Sequence, residues 1–146
     1  MAKAVIPRPL MLRRVAATQA TVDRFKGRAF RFGSHDCARM VAYHLKQIGR
    51  PMRLAKAGTY RSLLGATRAL RHLGYDSLAA ALDDHGLTRI APAAAVVGDI
   101  VELPGEPPFG ALSVAVGNGR VLGFHQDTAG AEILQPTAFV AAWRVL

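Results

Sequence analysis

The spacing of apolar residues in the first half of the chain is that of amphipathic helices. The clearest case is the segment SHDCARMVAYHLKQIG, residues 34–49. One stripe of this segment consists of Cys37, Val41, Leu45 and Ile48. Recurrence every three or four residues predicts a helix whose stripe faces a core. We expect Ser34 to cap it, Asp36 to lie in its first turn and Gly49 to end it.

Three further helices are predicted around this one. The first covers residues 17–30 and ends before Gly33, the second covers residues 59–74, and the third runs from Asp76 to His85. Gly74 is the last residue of the second of these helices, and Gly86 follows the third. Glycine commonly closes a helix at such positions.

After Pro92 the apolar pattern changes from helical spacing to alternation, which is typical of strands. Strands are predicted in residues 98–104, 131–136 and 138–146, and a hairpin in residues 110–125 with its turn at Asn118–Gly119. Helices followed by a meandering antiparallel sheet indicate an α+β fold.

The length of 146 residues suits a single core. Pro7 and Pro9 disfavour helix near the start, so residues 1–15 are predicted to be an extended basic arm and residues 16–146 a single domain. The arm carries few core residues, so we expect its removal to change the melting temperature little. Prolines and arginines interrupt its apolar stretches, and no run of the chain is long enough to cross a bilayer.

Charge is distributed unevenly between the two halves. Residues 1–72 hold 16 of the 19 Lys and Arg residues but two of the ten Asp and Glu residues, which gives a net charge of +14. Residues 73–146 carry −5. A basic first half is compatible with three kinds of partner: an acidic protein, an anionic wall polymer and nucleic acid. It is equally compatible with a merely solvated surface.

The single cysteine, Cys37, excludes an intrachain disulfide and a cysteine-rich metal site. Its place near the start of a predicted helix allows two interpretations. The unpaired amides and dipole there could lower the thiol pKa and produce a nucleophilic thiolate. Alternatively, Cys37 is a small buried packing residue.

Two segments resemble the NlpC-type cell-wall cysteine peptidases. FRFGSHDCARMVAYHLKQIG is similar to the nucleophile segment of that family, and VVGDIVELPGEPPFGALSVAVGNGRVLGFH to the two strands and turn that follow it. The resemblance covers about residues 25–126. It implies a papain-like fold, with Cys37 in the nucleophile position. It also implies hydrolysis of peptide bonds in peptidoglycan stems by a Cys–His pair and a third polar residue.

The chain departs from this family at the general base. The family's catalytic histidine opens the strand after Gly110, where this sequence has Ala111. We expect the bulky residues of that strand to face the core and its small residues to face the nucleophile helix. The bulky set is Leu112, Val114 and Val116, and the small set is Ala111, Ser113 and Ala115.

His125 is the histidine that could replace the missing base, and the hairpin register decides its side. A strict two-residue turn pairs Ala111 with Gln126 and puts His125 on the core side. A three-residue loop with a bulge pairs Ser113 with His125 and puts it on the site face. The candidate catalytic residues are therefore Cys37 and His125. His44, two helical turns after Cys37, is too distant, and no cofactor or metal is expected.

The whole pattern, including AAWRVL at the end, most resembles short stand-alone relatives associated with bacteriophage tail-gene clusters. The resemblance implies a tail-tip protein, made in the host bacterial cytoplasm and located in the virion. Neighbouring phage tail proteins and peptidoglycan are its expected partners, and nucleic acid is a partner that the pattern does not favour. A degenerate peptidase with a structural role is the leading hypothesis. An active endopeptidase using Cys37 with His125 and a basic binding module for an anionic polymer are the alternatives.

Overall fold

The computed structural model describes residues 9–52, 58–105, 110–125 and 128–146. Within these ranges the first half forms four α-helices: α1 (Leu10–Phe25), α2 (Cys37–Gln47), α3 (Leu63–His72) and α4 (Leu78–Asp84). The second half forms six strands: β1 (Thr88–Ile90), β2 (Ile100–Leu103), β3 (Ala111–Gly117), β4 (Arg120–Gly123), β5 (Glu132–Leu134) and β6 (Ala141–Arg144). The predicted α+β class is confirmed. Strand β1 was not predicted, because three residues give too little alternation to recognise.

Polar residues placed directly before each helix fix where α2, α3 and α4 begin. Asp36 accepts a hydrogen bond from the Arg39 amide, and Ser62 and Ser77 cap α3 and α4 in the same way. Such caps satisfy amides that have no partner within the helix. The prediction that Ser34 caps α2 is wrong, because Asp36 takes this position and Cys37 becomes the first helical residue.

The first helix overturns the predicted arm. Helix α1 begins at Leu10 directly after Pro9, so residues 10–15 are helical and not extended. A proline at the very start of a helix costs no hydrogen bond, because the amide it lacks would have no partner there. The helix also ends at Phe25, earlier than the predicted residue 30. Residues 1–8 of the predicted arm lie outside the described residues.

The six strands form one antiparallel sheet in the order β1-β6-β2-β3-β4-β5. Helices α1 and α2 pack against each other and against β3 near the middle of the sheet. The larger core lies between helices and sheet and contains Ile100, Leu112, Val114, Leu122 and Trp143. A smaller cluster lies on the opposite face and contains Val101, Leu103, Ala115, Val121 and Ala142.

The sequence divided the residues of β3 correctly between two faces, but the helices cover the face opposite to the one predicted. Leu112 and Val114 face the core, as predicted, but this is the face that packs against the helices. Ala111 and Ala115 pack with the smaller cluster on the other face. The small residues therefore do not face Cys37. The sequence shows which residues share a face but not which layer covers that face.

Candidate functional site

Cys37 lies at the junction of α2 and β3, as the sequence predicted. It is the first residue of α2, and hydrogen bonding from the backbone of Leu112 reaches its sulfur. The residue is only 6% exposed and belongs to the main core. The position facing the helix is thus held by Leu112, a residue that can neither accept nor donate a proton through its side chain.

Burial determines the ionisation of Cys37. Desolvation, with a smaller contribution from the nearby charge of Asp36, raises the pKa of its thiol to about 12. Hydrogen bonding from the Leu112 and Ala38 backbone acts in the opposite direction and is outweighed. The thiol is therefore protonated at neutral pH, and the prediction of a lowered pKa is wrong. A helix start favours a thiolate only where water or a cation also stabilises the charge.

The carboxylate beside Cys37 is committed to holding the local backbone. Asp36 is fully buried and accepts hydrogen bonds from the amides of Gly33 and Arg39, each at 2.8 Å. The Tyr60 hydroxyl donates to it as well, at 2.8 Å. The Arg39 guanidinium lies 5.2 Å from the centre of the Tyr60 ring. This arrangement joins the start of α2 to the segment before α3, and it leaves Asp36 unsuited to orient a histidine.

Gly33 completes this corner for a steric reason. It has φ +86°, and a Cβ at this position would lie 2.2 Å from the Tyr60 carbonyl oxygen. Only glycine combines this conformation with such a close approach of two backbones. The glycine of the quoted NlpC-like segment is therefore explained here by chain packing alone.

His125 lies beyond the end of β4 and is exposed. Val114 pairs with Leu122, and a bulge follows between Ala115 and Gly117. This register differs from both predicted registers and places Ser113 opposite Gly123, so the pairing of Ser113 with His125 is wrong. The main influences on the pKa of Cys37 are burial, the Asp36 charge and three backbone groups, and none of these comes from a histidine. The catalytic pairing of His125 with Cys37 stays a prediction.

A buried polar network, which the sequence did not reveal, joins α1 to the sheet. Arg14 is 4% exposed, and its guanidinium donates to the Asp99 carboxylate at 2.7 Å, to Val97 O at 3.0 Å and to Leu146 O at 2.7 Å. Asp99 is fully buried and also accepts from the amides of Val96 and Val145. In the sequence, Arg14 is one arginine among many, so no spacing rule could find its partner.

His44 belongs to the same region of the interior. Its ring nitrogens lie 2.9 Å from Thr21 Oγ1 and 2.8 Å from Gly98 O. Burial lowers the pKa of His44, so the ring stays neutral at neutral pH. With both nitrogens occupied and the side chain fully buried, His44 is a structural residue. The sequence analysis likewise excluded His44 as a catalytic partner of Cys37.

The chain matches one protein family over most of its length. Residues 13–145 match the family described as Domain of unknown function (DUF6950). The chain belongs to this family. The DUF6950 match includes Cys37 and both members of the Arg14–Asp99 pair, and it begins within the arm predicted for residues 1–15. No curated protein matches the chain.

In the part of the chain that the structure describes, no three or more His, Cys, Asp or Glu side chains are grouped so that they could hold a metal ion. Over the same residues, no helix combines the length and the apolar character that crossing a membrane requires.

An apolar cleft of about 700 Å³ lies among helices α2, α3 and α4, beside β3. Ala38, Val41, Leu70, Leu82 and Leu112 are among the residues that line it. The cleft begins one residue from Cys37, but the sulfur itself is not part of its lining. The Cys37 thiol is therefore not exposed in this cleft.

Proposed function

We propose that this DUF6950 protein is an NlpC-like component of bacteriophage tails whose peptidase site is degenerate, and that its role in the virion is structural. Support for the architecture comes from a cysteine that starts a helix packed on an antiparallel sheet, in the order that the NlpC resemblance implies. Fold likeness alone does not establish activity. The burial and the raised pKa of Cys37 are the observations that support a degenerate peptidase site.

A cysteine peptidase needs an accessible thiolate with a base within about 2.6–3.2 Å. Here the thiol is buried, and its pKa is raised to about 12. Leu112 contacts it from β3, and the carboxylate of Asp36 is occupied by three hydrogen bonds. With Cys37 only 6% exposed, little of the residue is open to a substrate carbonyl. Cys37 then serves as a packing residue at the α2–β3 junction.

We expect purified protein to release no peptides from peptidoglycan, with the same result for Cys37→Ala. Hydrolysis by the wild-type protein that is lost in both Cys37→Ala and His125→Ala would instead support the active endopeptidase. Circular dichroism of each variant separates loss of a catalytic group from loss of fold.

The tail assignment is tested on particles. We expect the protein in purified phage tails, and Cys37→Ala at the wild-type level, because the substitution removes one small buried group. Mass spectrometry of tails separated from heads measures both quantities. Absence of the wild-type protein from purified particles would contradict the proposed location.

A further inference from the structure

An exposed cluster of phenylalanine rings lies next to the end of α1. Phe30 is 46% exposed. Its ring centre lies 4.8 Å from that of Phe32 and 5.4 Å from that of Phe124, both edge to face. Phe32 and Phe124 are partly buried against the main core, so Phe30 is held from behind while much of its surface meets solvent. A large ring exposed in this way is available to stack on a planar ligand.

Basic residues flank Phe30 in the sequence. Residues 24–32 contain four exposed basic residues, namely Arg24, Lys26, Arg28 and Arg31. Within the described ranges, none of the four forms an ion pair with a carboxylate. Arg24 lies over the Tyr43 ring, 5.4 Å from its centre. The segment therefore carries exposed positive charge on both sides of Phe30 in the sequence.

Backbone contacts fix this segment to the loop before β5. The Gly27 amide donates to Ala131 O at 2.7 Å, and the Ala131 amide donates to Arg28 O at 3.0 Å. A Cβ on Gly130 would lie 2.4 Å from Arg28 O, so the two backbones are in direct contact. Between them lies a pocket of about 400 Å³ whose described lining is Phe30, Phe124, His125, Thr128 and Gly130.

We propose that this surface binds single-stranded nucleic acid, with a base stacked on Phe30 and backbone phosphates held by Arg28, Arg31 and Lys26. Sequence-tolerant binding of single strands needs ring faces and nearby cations, and both are present. A sugar polymer would need hydrogen-bonding side chains for its hydroxyl groups. The Thr128 hydroxyl already bonds His125 O at 2.9 Å and Gly130 O at 2.8 Å.

Fluorescence anisotropy with a labelled oligothymidylate of about 16 nucleotides tests this surface. We expect Phe30→Ala to weaken binding by about 10- to 100-fold. The matched control is Phe139→Ala, which removes a phenylalanine that is 43% exposed and lies elsewhere, and which should leave affinity unchanged. An oligonucleotide of the same length without bases should bind the wild-type protein as weakly as oligothymidylate binds Phe30→Ala.

Salt dependence tests the role of the cations. Arg28→Ala/Arg31→Ala should reduce the slope of log K against log salt by about 1.4, because each phosphate contact on a single strand contributes about 0.7. The control Arg61→Ala/Arg68→Ala removes the same charge from another exposed surface and should leave the slope unchanged. Equal effects of the two charge pairs, equal affinity of Phe30→Ala and Phe139→Ala, or tighter binding of wall teichoic acid than of the oligonucleotide would overturn the proposal.

Discussion

Replacing Asp99 with alanine is expected to lower the free energy of unfolding by about 3–5 kcal/mol. The carboxylate is fully buried, accepts from the Arg14 guanidinium at 2.7 Å and also accepts from two backbone amides. Its removal leaves the buried Arg14 cation without its counterion, and this isolated charge causes most of the loss. Urea denaturation, with the midpoint and slope both fitted, measures the change.

Two further variants separate this explanation from a general loss of charge. Arg89→Ala removes an exposed ion pair with Asp83, at 2.8 Å, and should cost under about 1 kcal/mol. Arg14→Met/Asp99→Leu removes both buried charges and should be more stable than Asp99→Ala. Arg144, which also pairs with Asp99 at 3.2 Å, is 37% exposed and keeps its contact with water. If Asp99→Ala costs no more than Arg89→Ala, the buried pair does not stabilise the fold.

Deletion of residues 1–15 is expected to destabilise the domain by at least about 3–5 kcal/mol compared with deletion of residues 1–8. Both deletions remove residues 1–8, so their difference isolates residues 9–15. These residues include Arg14, whose side chain donates three hydrogen bonds, two of them to Val97 and Asp99 just before β2 and one to the last residue. They also include Leu10, where α1 begins.

Thermal unfolding of the two truncated proteins gives the comparison. For a domain of this size the loss corresponds to a melting temperature lower by about 10 °C. This reverses the expectation drawn from the sequence, in which residues 1–15 were an arm outside the core. Equal melting temperatures for the two truncated proteins would show that the Arg14 contacts do not stabilise the fold.

The sequence predicted the order of elements well, because local signals determine them. Helical spacing located α2, and the Asn118–Gly119 turn located the β3–β4 hairpin. Asn118 and Gly119 both have positive φ values, which a two-residue hairpin turn requires and which asparagine and glycine adopt readily. The start of α1 was misplaced because Pro9 was interpreted as a break, although a proline in that position is compatible with a helix start.

The candidate site was less predictable, because it depends on contacts between distant residues. Alternation in β3 separated Leu112 from Ala111 correctly, but only the packing of α2 shows that Leu112 faces Cys37. The helix start suggested a reactive thiolate, whereas burial under β3 dominates its pKa. The pairing of Arg14 with Asp99 spans 85 residues and follows no local pattern.

The most direct test of the structural role of Cys37 is the pH dependence of its alkylation by iodoacetamide in the native protein. With the thiol pKa raised to about 12, the rate should keep rising about tenfold per pH unit from about pH 7 to about pH 10. It should show no levelling near the free-thiol value of about 8.5, whereas the urea-unfolded protein should level there. A native rate that levels clearly below about 8.5 and equals or exceeds that of the urea-unfolded protein would identify an accessible, activated thiolate and contradict the structural role proposed for Cys37.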